Sequence, residues 1–175
     1  MLPSPLRIEP IAGYSPTIGR LVGMITYARS TTLLAVEGLT MAELDHLYDA
    51  RSNSIGALLA HITVVERSYQ ILTFEDRLLS PQENEQWSAA LKLGADGRRS
   101  LRGYPLEHYV EHLAAARQVT LEVLATRDDE WLERSVIHVP KINAHWAWFH
   151  AAEDEINHRG QIRWLRARLP KRDSQ

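Results

Sequence analysis

The chain has 175 residues, 20 Lys and Arg against 22 Asp and Glu, a formal net charge of −2 and no cysteine. That length suits one domain with a core that needs no covalent staple. The near-neutral charge argues against a nucleic-acid partner, which phosphate contacts would demand as clustered cations, and the missing cysteines exclude disulfides, thiolate nucleophiles and Cys-based zinc sites while suiting a reducing compartment.

Residues 1–13 read as an extended arm punctuated by Pro3, Pro5 and Pro10. They hold no apolar run of roughly 7–15 residues, so no signal peptide is expected. Nothing in the chain approaches the roughly 20 apolar residues of a spanning helix. A soluble cytoplasmic protein without a membrane partner is the expectation.

Pro16 suits the first turn of a helix. Ile18, Leu21, Val22, Ile25, Ala28, Thr32 and Leu33 then recur at steps of three and four, the period of an amphipathic helix, as far as about Gly38. Thr40 and Glu43 carry a capping-box signature for one short turn. A second long helix opens near Ser52 to Ser54 and runs to about Phe74. Leu58, His61, Val65 and Ser68 share one of its faces; Leu59, Ile62, Glu66 and Tyr69 form the neighbouring stripe. Residues 75–104 are the least periodic, with room for a short helix around Gln82 to Lys92. A third long helix follows Pro105, its buried face marked by Leu106, Tyr109, Val110, Leu113, Ala116, Arg117, Thr120, Leu121 and Leu124. "DDEWLERSVIHVP" reads as a turn and a briefly extended piece closed by Pro140. Asn143 is placed as the N-cap of a fourth long helix that Pro170 ends, leaving a tail at 171–175. The basic end "RWLRARLPKR" is half explained by cations favouring a helix C-terminus. Four long helices without convincing strand pairs predict an all-α bundle in one unit over 14–170.

On a wheel at about 100° per residue, Ala147, His150, Ala151, Asp154, His158, Gln161, Ile162 and Leu165 fall on one side of the fourth helix. Asp154 and His158 are one turn apart, with Cβ atoms roughly 6 Å from each other, so they can converge on one ion. They can equally form a solvated pair. His61, inside "ALLAHITVV", needs a hydrogen-bond partner or a metal, because an unsatisfied buried imidazole costs about 1–3 kcal/mol. Two facing helices offering inward ligands is how bundles build metal sites. His150 reads as a supporting partner, an alternative ligand or a surface residue. Glu153 and Glu155 point away from this face and are expected in solvent. His108 and His112 are a rival pair, but Glu107 and Glu111 flank them and they read as exposed. Gly160 in a helix interior suggests close backbone packing, since it costs about 1 kcal/mol against Ala. Arg159 is expected to pair with an acid nearby or across a dimer interface, Gln161 to support the ligand face, and Trp146, Trp148 and Trp164 to serve packing or an interface in preference to substrate contact.

"SIGALLAHITVVERSY" and "AEDEINHRGQIRWLRARLP" resemble the DinB-like (damage-inducible) superfamily, which includes the mycothiol- and bacillithiol-dependent transferases. The likeness runs in order over roughly 14–170, and its specific part is the helix-2 His, then "HRGQI" and a final "LR". The resemblance implies a four-helix bundle in up-down-down-up order, a homodimer and a divalent metal between helices. It puts the metal ligands at His61 and His158, with Asp154 where the family usually has a second His. Two His and one carboxylate is a recognised ligand set for first-row metals. With neutral imidazoles it leaves about +1 on a divalent ion, where three His would leave +2, and so weaker Lewis acidity. Zn, Ni, Fe and Mn all fit. The implied activity is metal-dependent transfer of a low-molecular-weight thiol to a small electrophilic substrate, or hydrolysis. The competing reading is a non-catalytic stress-response bundle that holds a metal or small ligand.

Overall fold

A computed structural model describes residues 7–170. Residues 1–6 of the expected arm and the whole expected tail lie outside the described residues. The described chain is mostly helical: α1 (Pro16–Val36), α2 (Met41–Asp45), α3 (Ile55–Phe74), α4 (Pro81–Lys92), α5 (Gly94–Ser100), α6 (Leu106–Leu124), α7 (Asp129–Glu133) and α8 (Ala144–Arg166), with a hairpin of β1 (Ser135–Val136) and β2 (Val139–Asn143) before α8. The fold is all-α, as expected, and no helix among the described residues is long and apolar enough to cross a membrane.

The helix starts follow from local chemistry. Ser54 accepts from the Ala57 N–H at 3.1 Å, Asn143 from the Trp146 N–H at 2.8 Å, and Thr40 with Glu43 completes its capping box. α1 is capped from a distance instead. The Asp129 carboxylate, on α7, accepts from the Thr17 and Ile18 N–H groups at 3.0 and 3.1 Å and from the Ser15 hydroxyl at 2.6 Å. Ser15 thus spends its hydroxyl on Asp129 and not on its own helix.

Two stretches differ from the sequence reading. Beyond the short helix at Pro81–Lys92, a second one, α5, occupies the Gly-rich "GADGRRS". Leu93 and Gly94 turn the chain between them at φ 54° and 64°, and Asn53 Oδ1 accepts from the Gly94 N–H at 3.1 Å. Low apolar content concealed that turn of helix. The extended piece at 135–143 also pairs with itself, Val136 opposite Val139, so Pro140 lies within a strand and does not close one.

α8 packs on α1 and α3, and α3 on α6. The core falls into two apolar clusters. One joins Val36, Leu44, Leu58, Ile62, Leu113 and Ile162; the other joins Ile18, Leu21, Ile25, Leu124, Leu132 and Trp148. On each long helix a charged residue interrupts the apolar run between them: Arg29, Glu66, Arg117 and Glu155. Of these, Arg29, Glu66 and Glu155 are almost fully buried. Glu155 therefore corrects the expectation that it is solvated. Helical neighbours point about 100° apart, so with Asp154 turned to α3, Glu155 faces α1 and α6. On α6, Leu106, Val110, Arg117 and Leu121 are only half-buried, flanking the fully buried stripe of Tyr109, Leu113, Ala116, Thr120 and Leu124.

Candidate metal centre

α3 and α8 bring His61, Asp154 and His158 together, the i, i+4 pair and the imidazole of the apolar run that the resemblance joins. Each offers one ligand atom, and those atoms all lie within 4.8 Å of one another. Asp154 Oδ1 is 3.3 Å from His158 Nε2 and 3.6 Å from His61 Nε2. The imidazoles meet edge to face, with centroids 4.6 Å apart. All three side chains are largely buried.

The far nitrogen of each ring is held elsewhere. His61 Nδ1 lies 2.8 Å from the Ala90 carbonyl on α4, and His158 Nδ1 lies 3.3 Å from Gln161 Oε1. With Nδ1–H donating outward, each ring turns its Nε2 to Asp154, and Nε2 is the nitrogen left to a metal in the tautomer that metal-binding histidines adopt. Asp154 Oδ2 is buried and has no hydrogen-bond partner. A lone buried carboxylate oxygen is costly, and the two imidazoles beside the other oxygen leave it uncompensated.

Electrostatics follow from the same contacts. Burial works against an ionised Asp154, yet His158 and His61 outweigh it and hold its carboxyl well below the ordinary range. For His61, burial opposes the charged form, but Asp154 and the Ala90 carbonyl together raise its pKa above the usual imidazole value.

A family model described as mycothiol-S-transferase matches residues 20–170. The chain belongs to that family. No curated protein matches the chain. The family is a branch of the DinB-like superfamily that the two motifs resemble.

The residues present fit the divalent metal that membership in this family implies. Two Nε2 atoms and a carboxylate converge, their outer partners are in place, and the unpartnered Asp154 Oδ2 is the kind of atom that a cation would satisfy. His150 stands outside this group. Its Nδ1 lies 2.9 Å from the Tyr69 hydroxyl, and Trp146 stacks on its ring at 4.9 Å. Burial, and after it the Asp154 charge, pushes the Tyr69 hydroxyl up to about 12, so Tyr69 stays protonated, and its hydroxyl shares a hydrogen bond with His150. Sequence reasoning placed Tyr69 on a helix stripe without a role; no local signal links residues 69 and 150.

The rival pair splits. His112 is exposed as expected, whereas His108 is half-buried and stacked on Tyr104 at 4.2 Å. Burial and the neighbouring His112 lower its pKa against the opposing charge of Glu111, and among the described residues the pair joins no group of three metal-ligating side chains. Gly160 corrects another expectation: a Cβ there would meet nothing within 4 Å. Its helix position is open, not tightly packed. Arg159 donates to the Thr31 hydroxyl and lies over the Tyr27 ring, in place of the expected acid. Of the tryptophans, only Trp148 is fully buried, stacked on Phe74 at 5.0 Å; Trp146 and Trp164 are exposed.

Proposed function

We propose that the chain is a divalent-metal-dependent thiol S-transferase, with His61, Asp154 and His158 as the metal ligands. The observation that carries the reading is their convergence across α3 and α8 with both Nε2 atoms inward and Asp154 Oδ2 unpartnered. Membership in the mycothiol-S-transferase family over 20–170 supplies the reaction class and makes mycothiol the first thiol to test. The ligand chemistry admits Zn, Ni, Fe or Mn.

A metal bound there would supply a Lewis acid that lowers a thiol's pKa, so that thiolate exists at neutral pH. The protein's own residues do the placing. Ala90 and Gln161 fix the two rings, and Asp154 contributes the negative charge that balances a cation between them. Tyr69, hydrogen-bonded to His150, lies close enough to Asp154 for that charge to act on its hydroxyl. In the overall reaction a C–S bond forms between thiol sulfur and an electrophilic carbon, the leaving group departs with its electron pair, and the thiol proton passes to solvent. No cysteine of the chain competes for the electrophile.

The fold reading is a DinB-like four-helix bundle over 14–170 in up-down-down-up order. Contacts between α1, α3, α6 and α8 support it. Arg166 reaches the carbonyls of Ala35 and Glu37 while Trp148 joins Ile18 and Leu21, so α1 and α8 run together. Tyr69 meets His150 while His61 meets Asp154, so α3 runs against α8. Glu66 meets Arg117 and Gln70 meets Thr120, so α6 follows α3. Exposed Tyr27, Phe149 and Ile156 along α1 and α8 support a homodimer through that face, and the cysteine-free composition suits a cytoplasmic enzyme.

Elemental analysis of protein purified without a His-tag tests the site. About one metal per chain is expected, and none in Asp154→Ala or His61→Ala. Mycothiol-dependent conjugation of a chloro-nitroarene tests the reaction. Wild-type protein that takes up none of the four metals would sink the reading.

A further inference from the structure

Beside the His158 end of the centre lies a cleft of about 530 Å³ between the loop preceding α3 and the outer face of α8. We propose that this cleft seats the polyhydroxylated, non-sulfur body of the thiol cosubstrate; the inference rests on the thiol-transfer reading above.

Its lining is built for oxygen acceptors. Asn53 uses its Oδ1 on the Gly94 N–H, and Gln161 uses its Oε1 on His158, so each amide is left with an NH₂ to donate. Arg51 adds a guanidinium, and Asn157, exposed one turn before Gln161, adds a further amide. Trp164 forms an apolar wall, braced edge-on by Tyr48 at 4.7 Å and covered by the Arg168 guanidinium at 3.9 Å. Several amide donors around an aromatic wall match a ligand with many hydroxyl oxygens and carbon-bound ring faces. They do not match an apolar one.

Gly160 is the second observation. It lines the cleft from the middle of α8, where glycine costs about 1 kcal/mol against Ala. Nothing in the protein fills the space beside it. A helix-interior glycine that faces open space lets a ligand approach the backbone. Gln161 then links cleft and centre, since one side chain both lines the cleft and holds His158.

The test is calorimetric titration with S-methyl mycothiol, which keeps the body but has no thiol to ionise. Wild type should bind it. Gly160→Leu, which fills the cleft, should weaken binding by about tenfold or more, and Asn157→Ala by roughly three- to tenfold, the worth of one hydrogen bond. Both variants should keep their metal. Asn157→Ala places a good helix former on an exposed position, so it covers the case in which the leucine variant does not fold. Equal binding by wild type and both variants overturns the proposal, as does no binding by wild type. The two readings fail separately. If conjugation with mycothiol proceeds while the variants bind alike, the cleft is wrong and the transferase stands. If the variants lose binding while the metal-loaded protein conjugates no thiol, the cleft stands and the transferase falls.

Discussion

Asp154 and Glu155 are adjacent carboxylates on one helix, and they have opposite fates. Glu155 enters a closed network. Its Oε1 accepts from Arg29 Nε at 2.8 Å and its Oε2 from Arg117 Nη2 at 3.2 Å. Glu66 completes the set, receiving Arg117 Nε and Thr120 at 2.7 Å each and Arg29 Nη2 at 2.8 Å. The remaining guanidinium nitrogens end on the Leu113 and Ile25 carbonyls, both at 2.6 Å. Two cations meet two anions and every carboxylate oxygen is used, so burial, which would raise the Glu66 carboxyl, is outweighed by Arg117 and Arg29 and its pKa is lowered. Asp154, one residue earlier, keeps an oxygen with no partner. The satisfied cluster leaves no carboxylate oxygen for a ligand; the other leaves Asp154 Oδ2. In a layer of buried charge, a complete set of partners supports a structural role, and an unpartnered oxygen supports the ligand role proposed for Asp154.

Truncating either cluster should separate the two roles. Glu155→Ala leaves Arg29 and Arg117 short of an anion inside the core and should cost about 3–5 kcal/mol in denaturant unfolding, with Glu66→Ala similar. Asp154→Ala, in contrast, deletes the unpartnered Oδ2 together with the Oδ1 contacts to His158 and His61. Metal-free protein carrying it should lose less stability than Glu155→Ala, because the imidazoles left behind can stay neutral whereas two buried guanidiniums cannot, while its metal uptake is abolished. An Asp154→Ala variant as destabilised as Glu155→Ala would erase the distinction.

The sequence made the open cluster legible and hid the closed one, for physical reasons. Asp154 and His158 announce themselves because one turn of helix puts them together, and His61 because an imidazole in an apolar run requires a partner. The family resemblance then tied the three across the chain. The closed network draws one residue from each of four helices, and no spacing within a helix connects Arg29 to Glu155 across 126 positions. Glu66 and Arg117 did fall on buried-side stripes, a signal that they needed counter-charges, yet nothing local paired them. Helix boundaries were legible where caps are local, at Ser54 and Asn143. They were not at α5, where glycines disguise a helix that Asn53 and Leu93 hold in place.

Gly160 sharpens the comparison from the open side. Because its added Cβ would meet nothing, Gly160→Ala should stabilise α8 by about 0.5–1 kcal/mol and raise Tm, leaving metal content unchanged. A loss of stability would mean that the backbone there is closely packed after all.

The smallest effect is expected at a third carboxylate, Asp129, which is satisfied like Glu155 but at the surface. The Ser15 hydroxyl foremost, with the other donors at the start of α1, outweighs the opposing effect of burial and lowers its pKa to about 2 from the ordinary 3.8. A folded-state pKa below the unfolded one means stability that is complete above about pH 4. As pH falls towards about 2, protonation removes the acceptor that Thr17 and Ile18 need and that part of the stability is lost. Asp129→Asn, which keeps one acceptor oxygen but cannot ionise, should flatten the acid limb of a pH-dependent thermal melt between about pH 4 and 2 and change little at pH 7 beyond a fixed offset. Glu155→Ala should shift the melt at every pH, because its cost is a buried cation left unpaired. An Asp129→Asn melt with an unaltered acid slope would show that water replaces this remote cap without loss, and would confine structural carboxylates in this fold to the buried layer.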